Sequence, residues 1–231
     1  MKVILFGATG MVGQGVLREC LLDPGVEQVL TVGRNATGQQ HPKLRELAHK
    51  ELTGFSTVEK ELTGYDTCFF CLGVSAAGMS EQDYRAVTYD IALAAGRSLA
   101  RLNPGMTFIY VSGEGTDSTG KAFSMWARVK GETENALLKL PFKAAYMFRP
   151  GYIQPLHGIV SRTGLYRTTY RFLGWLYPVL RVLFRKHVTT TEQVGRAMLQ
   201  VARQGATKRV LETPDINAAA QAATASLPAA S

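Results

Sequence analysis

The stretch Lys2-Val3-Ile4-Leu5-Phe6-Gly7-Ala8-Thr9-Gly10-Met11-Val12-Gly13 decides the fold. Lys2 to Phe6 is a short, almost continuous apolar run, as expected of a parallel strand buried on both faces. The glycines that follow are spaced G-x-x-G-x-x-G. In such a turn the first permits the sharp bend, the second lets backbone approach a pyrophosphate, and the third lets helix pack close on strand. From Met11 to Leu22 the residues Val12, Val16, Leu17, Cys20 and Leu21 recur at helical spacing, and Asp23-Pro24-Gly25 stops the helix. Gln28 to Gly33 reads as a second strand, completing a β-α-β unit. Strand before, helix after and a further strand beyond are the context that gives the glycine spacing meaning. A pyrophosphate would sit at the helix N-terminus, where unpaired N–H groups and the dipole favour negative charge. Gly7, Thr9, Gly10, Met11, Val12 and Gly13 are therefore candidates for binding a dinucleotide.

The alternation continues along the chain. A weak strand near Leu44 to Leu52, a strong one at Thr67 to Gly73 and a helix over roughly Glu81 to Leu102 are followed by a strand at Thr107 to Val111. A helix from about Ala122 to Leu140 and a strand at Ala144 to Phe148 come next. Strands alternating with helices predict an α/β fold with a doubly wound parallel sheet, the Rossmann arrangement. After Gly151 the chain turns aromatic and basic from Leu165 to His187, then predicts a helix from about Thr190 to Arg203, with Thr189 and Glu192 spaced as a capping box. Arg209 to Glu212 would add an edge strand. From Asp215 onward Ala, Ser and Thr dominate, which reads as a frayed tail. The expected organisation is one dinucleotide-binding domain over 1–213, with small helical cap elements on the substrate side from about 152 to 205, and a flexible tail over 214–231.

A chain of 231 residues, 46% hydrophobic and 19% charged, can bury a full core without disulfides or metal. The three cysteines, Cys20, Cys68 and Cys71, have no histidine cluster near them, and no metal site is expected. Cys68 and Cys71 form a C-x-x-C, but on a strand they point to opposite faces, whereas a redox pair needs a thiolate at a helix N-terminus. The N-terminus runs straight into the first strand without an apolar h-region, which implies a cytoplasmic location.

At the end of the second strand, 21 residues past Gly13, an acid would mark a ribose diol; this chain has Arg34. An arginine fork suits a 2′-phosphate, so the cofactor expected is NADP(H) rather than NAD(H). Arg34 could instead be a solvated surface residue.

These residues resemble the short-chain dehydrogenase/reductase superfamily. Within it the chain resembles atypical NAD(P)-binding members similar to the Tat-interacting protein family. The shared landmarks are Gly-Ala-Thr-Gly at Gly7, Val-Gly-Arg at Val32, Cys-Leu-Gly at Cys71, Val-Lys-Gly-Glu at Val129 and Phe-Arg-Pro-Gly at Phe148. The resemblance implies that Leu72 and Gly73 lie along the cofactor, and that Pro150 and Gly151 pass near the nicotinamide end. It also implies that Lys130 matches the lysine of a Tyr-x-x-x-Lys motif, holding the nicotinamide ribose. The tyrosine position holds Trp126, and an indole N–H is no general acid at neutral pH. Ser112 supplies a strand-end hydroxyl, yet active members place their Ser or Thr about two residues later, where Glu114 stands. Ser112 and Lys130 are the catalytic candidates. Each also has a bland reading, Ser112 as a hydroxyl satisfying backbone, Lys130 as a helix-face lysine and Trp126 as core packing. Tyr110, Tyr152 and Glu114 are the other nearby proton donors.

Of the formal net charge of +8, the acid-free stretch between Glu134 and Glu192 carries +9. Its window Phe172 to Phe184 is too short to cross a bilayer, which needs roughly 20 residues. The region is expected to cap a substrate pocket, with peripheral contact to anionic membrane or a protein partner through 162–187 as the other readings, and nucleic acid disfavoured for want of a reader motif. Two functions follow. One is a reductase or epimerase-like oxidoreductase on a small carbonyl substrate. The other is a non-catalytic NADP(H)-sensing module that presents its C-terminal surface to a partner or membrane.

Overall fold

In the computed structural model, which describes residues 1–159 and 186–225, the apolar runs line up as a parallel sheet. Its strands are β1 (Lys2–Phe6), β2 (Gln28–Gly33), β3 (Leu44–Ala48), β4 (Thr67–Phe70), β5 (Thr107–Val111), β6 (Ala144–Arg149) and β9 (Val210–Glu212). Their spatial order is β3-β2-β1-β4-β5-β6-β9, and every neighbouring pair is parallel. The order reverses between β1 and β4, where Phe6 pairs with both Val32 and Phe70. A doubly wound sheet opens a ligand crevice at that point, beyond the carboxyl ends of the strands. Beside the sheet, β7 (Tyr152–Gln154) and β8 (Val188–Thr190) form a separate parallel pair.

Strand alternation divides the core into two layers. On one face Val3, Leu5, Phe69, Ile109 and Phe148 pack under α1 (Met11–Leu22), α5 (Thr191–Gln204) and α6 (Thr213–Ala225). On the other, Ile4, Phe6, Phe70, Phe108 and Tyr110 pack under the helical run of 81–102 and α4 (Met125–Leu138). Cys68, on β4, belongs to the second layer, and Cys71, one residue past the end of β4, packs on the first. Burial pushes both thiols up from their ordinary range.

Several boundaries differ from the sequence expectation, each for a local reason. The strand expected to run to Leu52 stops at Ala48, because β3 is a half-exposed edge and the chain then turns through Glu51, whose carboxylate accepts from Thr53 N at 3.1 Å. The strand expected to reach Gly73 ends at Phe70, where the chain leaves the sheet at the switch point. The long helix begins as α2 (Glu81–Arg85), capped by Ser80 Oγ accepting from Asp83 N at 3.1 Å, passes through a π turn at Ala86–Asp90, and continues as α3 (Ile91–Leu102). α4 starts at Met125 instead of Ala122, since the Asp117 carboxylate holds the N–H groups of Thr119, Lys121 and Ala122 in a preceding loop. The cap of α5 is Thr190, one residue beyond the Thr189 expected; its hydroxyl accepts from Gln193 N at 3.0 Å.

The frayed tail expected from Asp215 is overturned as far as residue 225, the rest lying outside the described residues: 213–225 form α6, with Ile216 fully buried and Ala220 nearly so. Alanine is the strongest helix former, and Ile216 and Ala220, four apart, give the helix one apolar face.

α1 and α5 approach closely at two glycines. A Cβ on Gly15 would stand 2.6 Å from Thr191 Cβ, and one on Gly195 would stand 2.8 Å from Glu19 Cγ. Glu19 is buried in that contact and accepts from Arg18 Nη1 at 2.5 Å and Arg196 Nε at 3.1 Å.

Candidate functional site

The glycine turn leaves β1 at Gly7, whose φ of +80° is left-handed backbone that only glycine adopts without strain. A Cβ there would meet Leu72 N and Cys71 C at 2.6 Å, the chain emerging from β4. A Cβ on Gly13 would lie 2.0 Å from Gly7 O, so α1 can close on the turn only with glycine at this position. Gly10 is different: its nearest protein neighbour would be Gly7 O at 3.3 Å, and the space in front of it is open. Gly10 also sits at the N-cap of α1 without a capping side chain, and the first turn carries no acid. The N–H groups of Met11, Val12 and Gly13 therefore have no intrahelical acceptor. A cradle kept clear by glycines, with N–H donors aimed into it, fits a diphosphate.

From that turn a crevice runs to the end of β2, lined by Thr9, Thr31, Arg34, Asn35, Thr37 and Leu72. Arg34 is exposed and makes no ion pair among the described residues. Thr37 N donates to Glu46 Oε1 at 2.6 Å, tying the loop after Arg34 to β3. Gly73 has nothing within 4 Å of where a Cβ would be, leaving the β4 end open as well.

At the end of β5 the catalytic candidates meet, but not as hydroxyl and amine. Trp126, Lys130 and Glu134 lie four residues apart along α4 and share the face turned to β5. Lys130 Nζ donates to the Ser112 carbonyl. Burial draws Lys130 down to about 8, with the Glu134 carboxylate pulling the other way. The Ser112 hydroxyl is buried and lies 2.6 Å from Glu134 Oε1 and 3.1 Å from Phe148 O. Glu134 is fully buried and accepts as well from Arg149, Nε at 3.0 Å and Nη2 at 2.5 Å. Ser118 Oγ at 3.3 Å and Glu212 beyond Arg149 complete the network. This cluster joins α4, β5, β6 and β9. It was not read from the sequence, although a glutamate four residues past Lys130, on the helix's buried face, is its trace.

Trp126 is half-buried, its ring edge 3.2 Å from where a Gly115 Cβ would stand, so it braces the loop leaving β5. Tyr110 lies in the core, with its phenol pushed up by burial, and so cannot reach a cleft. Tyr152 OH donates to Gln154 Oε1 at 2.9 Å on the β7–β8 side.

Pro150 and Gly151 lie where β6 gives way to β7. Glu114 N donates to Pro150 O at 2.9 Å, and Gly151 N donates to Thr213 Oγ1 at 2.8 Å. A Cβ on Gly151 would fall 2.3 Å from Glu114 Oε2 and 2.5 Å from His187 O. Glu114 and His187 are joined through Oε1 and Nδ1. His187 was not among the sequence candidates, since 73 residues separate it from Glu114 and nothing in the spacing links them. The segment expected to cap the pocket, Leu165 to His187, lies largely outside the described residues.

No family model matches the chain. The protein FMP52-1, mitochondrial, of Scheffersomyces stipitis is 26% identical over 155 residues, covering 66% of this chain and 67% of that protein. Botcinic acid biosynthesis cluster B protein 16 of Botryotinia fuckeliana is 32% identical over 128 residues, covering 48% of this chain and 78% of the other. The chain belongs to that protein's family. Among solved structures, the Bordetella bronchiseptica enzyme WbmF, in complex with NAD+, has a TM-score of 0.65 at 14% identity, covering 98% of this chain and 79% of that one. The oxidoreductase ylbE of Lactococcus lactis has a TM-score of 0.64 at 15% identity, with 96% of each chain covered. The fold is also that of a short-chain dehydrogenase/reductase superfamily protein of Agrobacterium tumefaciens with bound NAD, at a TM-score of 0.61 and 12% identity, covering 87% of this chain and 73% of that one.

The curated relatives overturn the cytoplasmic location expected above, for several are named as mitochondrial proteins. An h-region is a mark of secretion and does not distinguish cytosol from mitochondrion. No helix among the described residues is long and apolar enough to cross a membrane.

Proposed function

We propose that this protein binds NADP(H) across the β1 turn and the β2 end and acts as an oxidoreductase on a small carbonyl substrate. The observation that carries the reading is the open glycine cradle continuing into a crevice with an unpaired Arg34. In this reading Thr9, Gly10, Met11, Val12 and Gly13 take the diphosphate, Arg34 the 2′-phosphate, and Leu72 and Gly73 flank the cofactor. Lys130, Pro150 and Gly151 stand at the nicotinamide end. Ser112 is a positioning residue, its hydroxyl bound to Glu134 while its carbonyl fixes the Lys130 amine. Bound NADPH would supply hydride to a carbonyl carbon at the β5 and β6 ends. The NAD+ complex of WbmF supports a nicotinamide dinucleotide.

A second reading, a non-catalytic NADP(H) sensor, is favoured by Trp126 in the tyrosine position and by the burial of the Ser112 hydroxyl. Titration calorimetry with NADPH and NADH, on wild type and Arg34→Ala, tests the cofactor. Loss of a charge-assisted contact of about 1.5–3 kcal/mol predicts a fall of roughly 10- to 100-fold for NADPH and little change for NADH. Equal losses for both would remove Arg34 from the site. Single-turnover absorbance across a carbonyl panel separates the readings, since a sensor binds NADPH without oxidising it.

A further inference from the structure

The oxidoreductase reading leaves one requirement unmet: a proton for the oxygen of the reduced carbonyl. Trp126 has none to give, the Ser112 hydroxyl is buried against Glu134, and Tyr110 is sealed in the core. Among the described residues a further titratable pair stands at the carboxyl end of the central strands. Glu114 follows β5 by three residues and His187 precedes β8 by one, and their side chains join through Oε1 and Nδ1.

Three features show that the fold fixes this pair. Glu114 N is tied to Pro150 O at 2.9 Å, and Tyr152 N donates to His187 O at 2.8 Å, so both backbones are anchored to the turn that follows β6. Gly151 lies between them, and no side chain fits there, because a Cβ would fall 2.3 Å from Glu114 Oε2 and 2.5 Å from His187 O. Both side chains nonetheless remain partly exposed, 41% for Glu114 and 59% for His187. Among the described residues His187 Nε2 makes no hydrogen bond. Among the described residues, the other charged groups near this rim include Lys130, whose Nζ would be 3.8 Å from a Gly113 Cβ, and Glu212, whose carboxyl is pushed up mainly by burial and in part by Glu134 and Glu114.

We infer that Glu114 and His187 form the proton-transfer dyad of this protein, with His187 Nε2 as the acid that protonates the carbonyl oxygen and Glu114 as the residue that orients the ring. The inference rests on the oxidoreductase reading above. As hydride from NADPH bonds to the carbonyl carbon, the C=O π pair moves to oxygen, and the Nε2 proton of the imidazolium bonds to that oxygen. The products are the alcohol, NADP+ and a neutral imidazole that keeps its Nδ1–H on Glu114; solvent returns the Nε2 proton. In the reverse direction neutral Nε2 is the base. A carboxylate on Nδ1 fixes the tautomer and holds the working nitrogen free.

The test has two arms on the full-length protein. In the cofactor-free protein at a pH where imidazole is neutral, 15N spectra, assigned by loss of the signal in His187→Gln, are expected to show His187 protonated at Nδ1. Glu114→Ala should abolish that tautomer lock. In single turnover with NADPH, His187→Gln is expected to slow carbonyl reduction by about 10²- to 10⁴-fold, the usual contribution of a general acid, while NADPH affinity stays within about threefold. His187 is exposed, and an unchanged thermal midpoint would show that the variant folds. A His187→Gln protein that reduces the carbonyl at the wild-type rate overturns the dyad alone, as does an Nε2–H tautomer in wild type. Wild type that binds NADPH but oxidises it with no carbonyl overturns the oxidoreductase reading, and the dyad's role with it.

Discussion

Removing the carboxylate of Glu134 tests the structural foundation of the site. Glu134 is fully buried and accepts from Ser112, Ser118 and two Arg149 nitrogens, while the Arg149 side chain is 14% exposed. Glu134→Ala leaves Arg149 as a buried cation without its main partner, since guanidinium does not deprotonate. Breaking one side of such a pair costs about 3–5 kcal/mol. Glu212 Oε1 at 3.4 Å from Arg149 and Ser118 Oγ at 2.6 Å remain to take part of the load, which places the expected loss near the lower end, about 3 kcal/mol. For a chain of this size each kcal/mol moves the midpoint by roughly 2–4 °C, so Tm should fall by about 6–12 °C. Circular dichroism melts with matching urea titrations measure it. Glu134→Met combined with Arg149→Met, which removes both charges, should recover most of the loss. A single variant within about 1 kcal/mol of wild type, or a double variant worse than the single, would refute the claim that this ion pair holds the strand ends together.

Two further outcomes follow from the same geometry. Gly13→Ala drives a Cβ to 2.0 Å from Gly7 O and should open the turn, losing dinucleotide binding together with about 1–3 kcal/mol of stability. Gly10→Ala meets only Gly7 O at 3.3 Å, so its melt should stay close to wild type while NADPH affinity falls by about tenfold or more through the methyl in the diphosphate's path. Calorimetry and melts on both variants check this, and a Gly10→Ala protein that binds NADPH like wild type would place the diphosphate elsewhere. Lys130 titrates at about 8 in the folded chain, below its value of about 10.4 when unfolded. The unfolded chain thus holds more protons between those values, and burying the ammonium costs stability that is restored as pH rises from about 8 to 10.4. Relative to wild type, Lys130→Met should therefore be most favoured at pH 6–7 and lose that advantage above pH 8; urea titrations showing a constant difference would contradict the low value.

What was legible in the sequence depended on whether the signal was local. The β1 turn carries its fold and its ligand chemistry within twelve residues, and the hydrophobic runs of β2, β5 and β6 stood within a residue or so of their observed bounds. Loop chemistry was harder: Asp117, eight residues ahead of α4, decides where that helix can start. The tail's Ala-rich composition alone suggests fraying, whereas the spacing of Ile216 and Ala220 marks a helix face. The Glu134–Arg149 pair and the Glu114–His187 pair depend on which strand ends meet, and no spacing along one chain states that.

The glycine-lined contact between α1 and α5 has a bearing on how the molecule comes to exist. α1 is synthesised well before its cover, for the surface that meets Gly15 and Val16 comes from Thr191 and Gly195, some 180 residues later. A nascent chain that has completed β1, the glycine turn and α1 still shows water the apolar side of that helix. The contact is of the kind that slows folding, since its closure entropy must be met before it returns anything. The helix that begins at the glycine turn is thus made early and covered late, when α5 has left the ribosome and can dock.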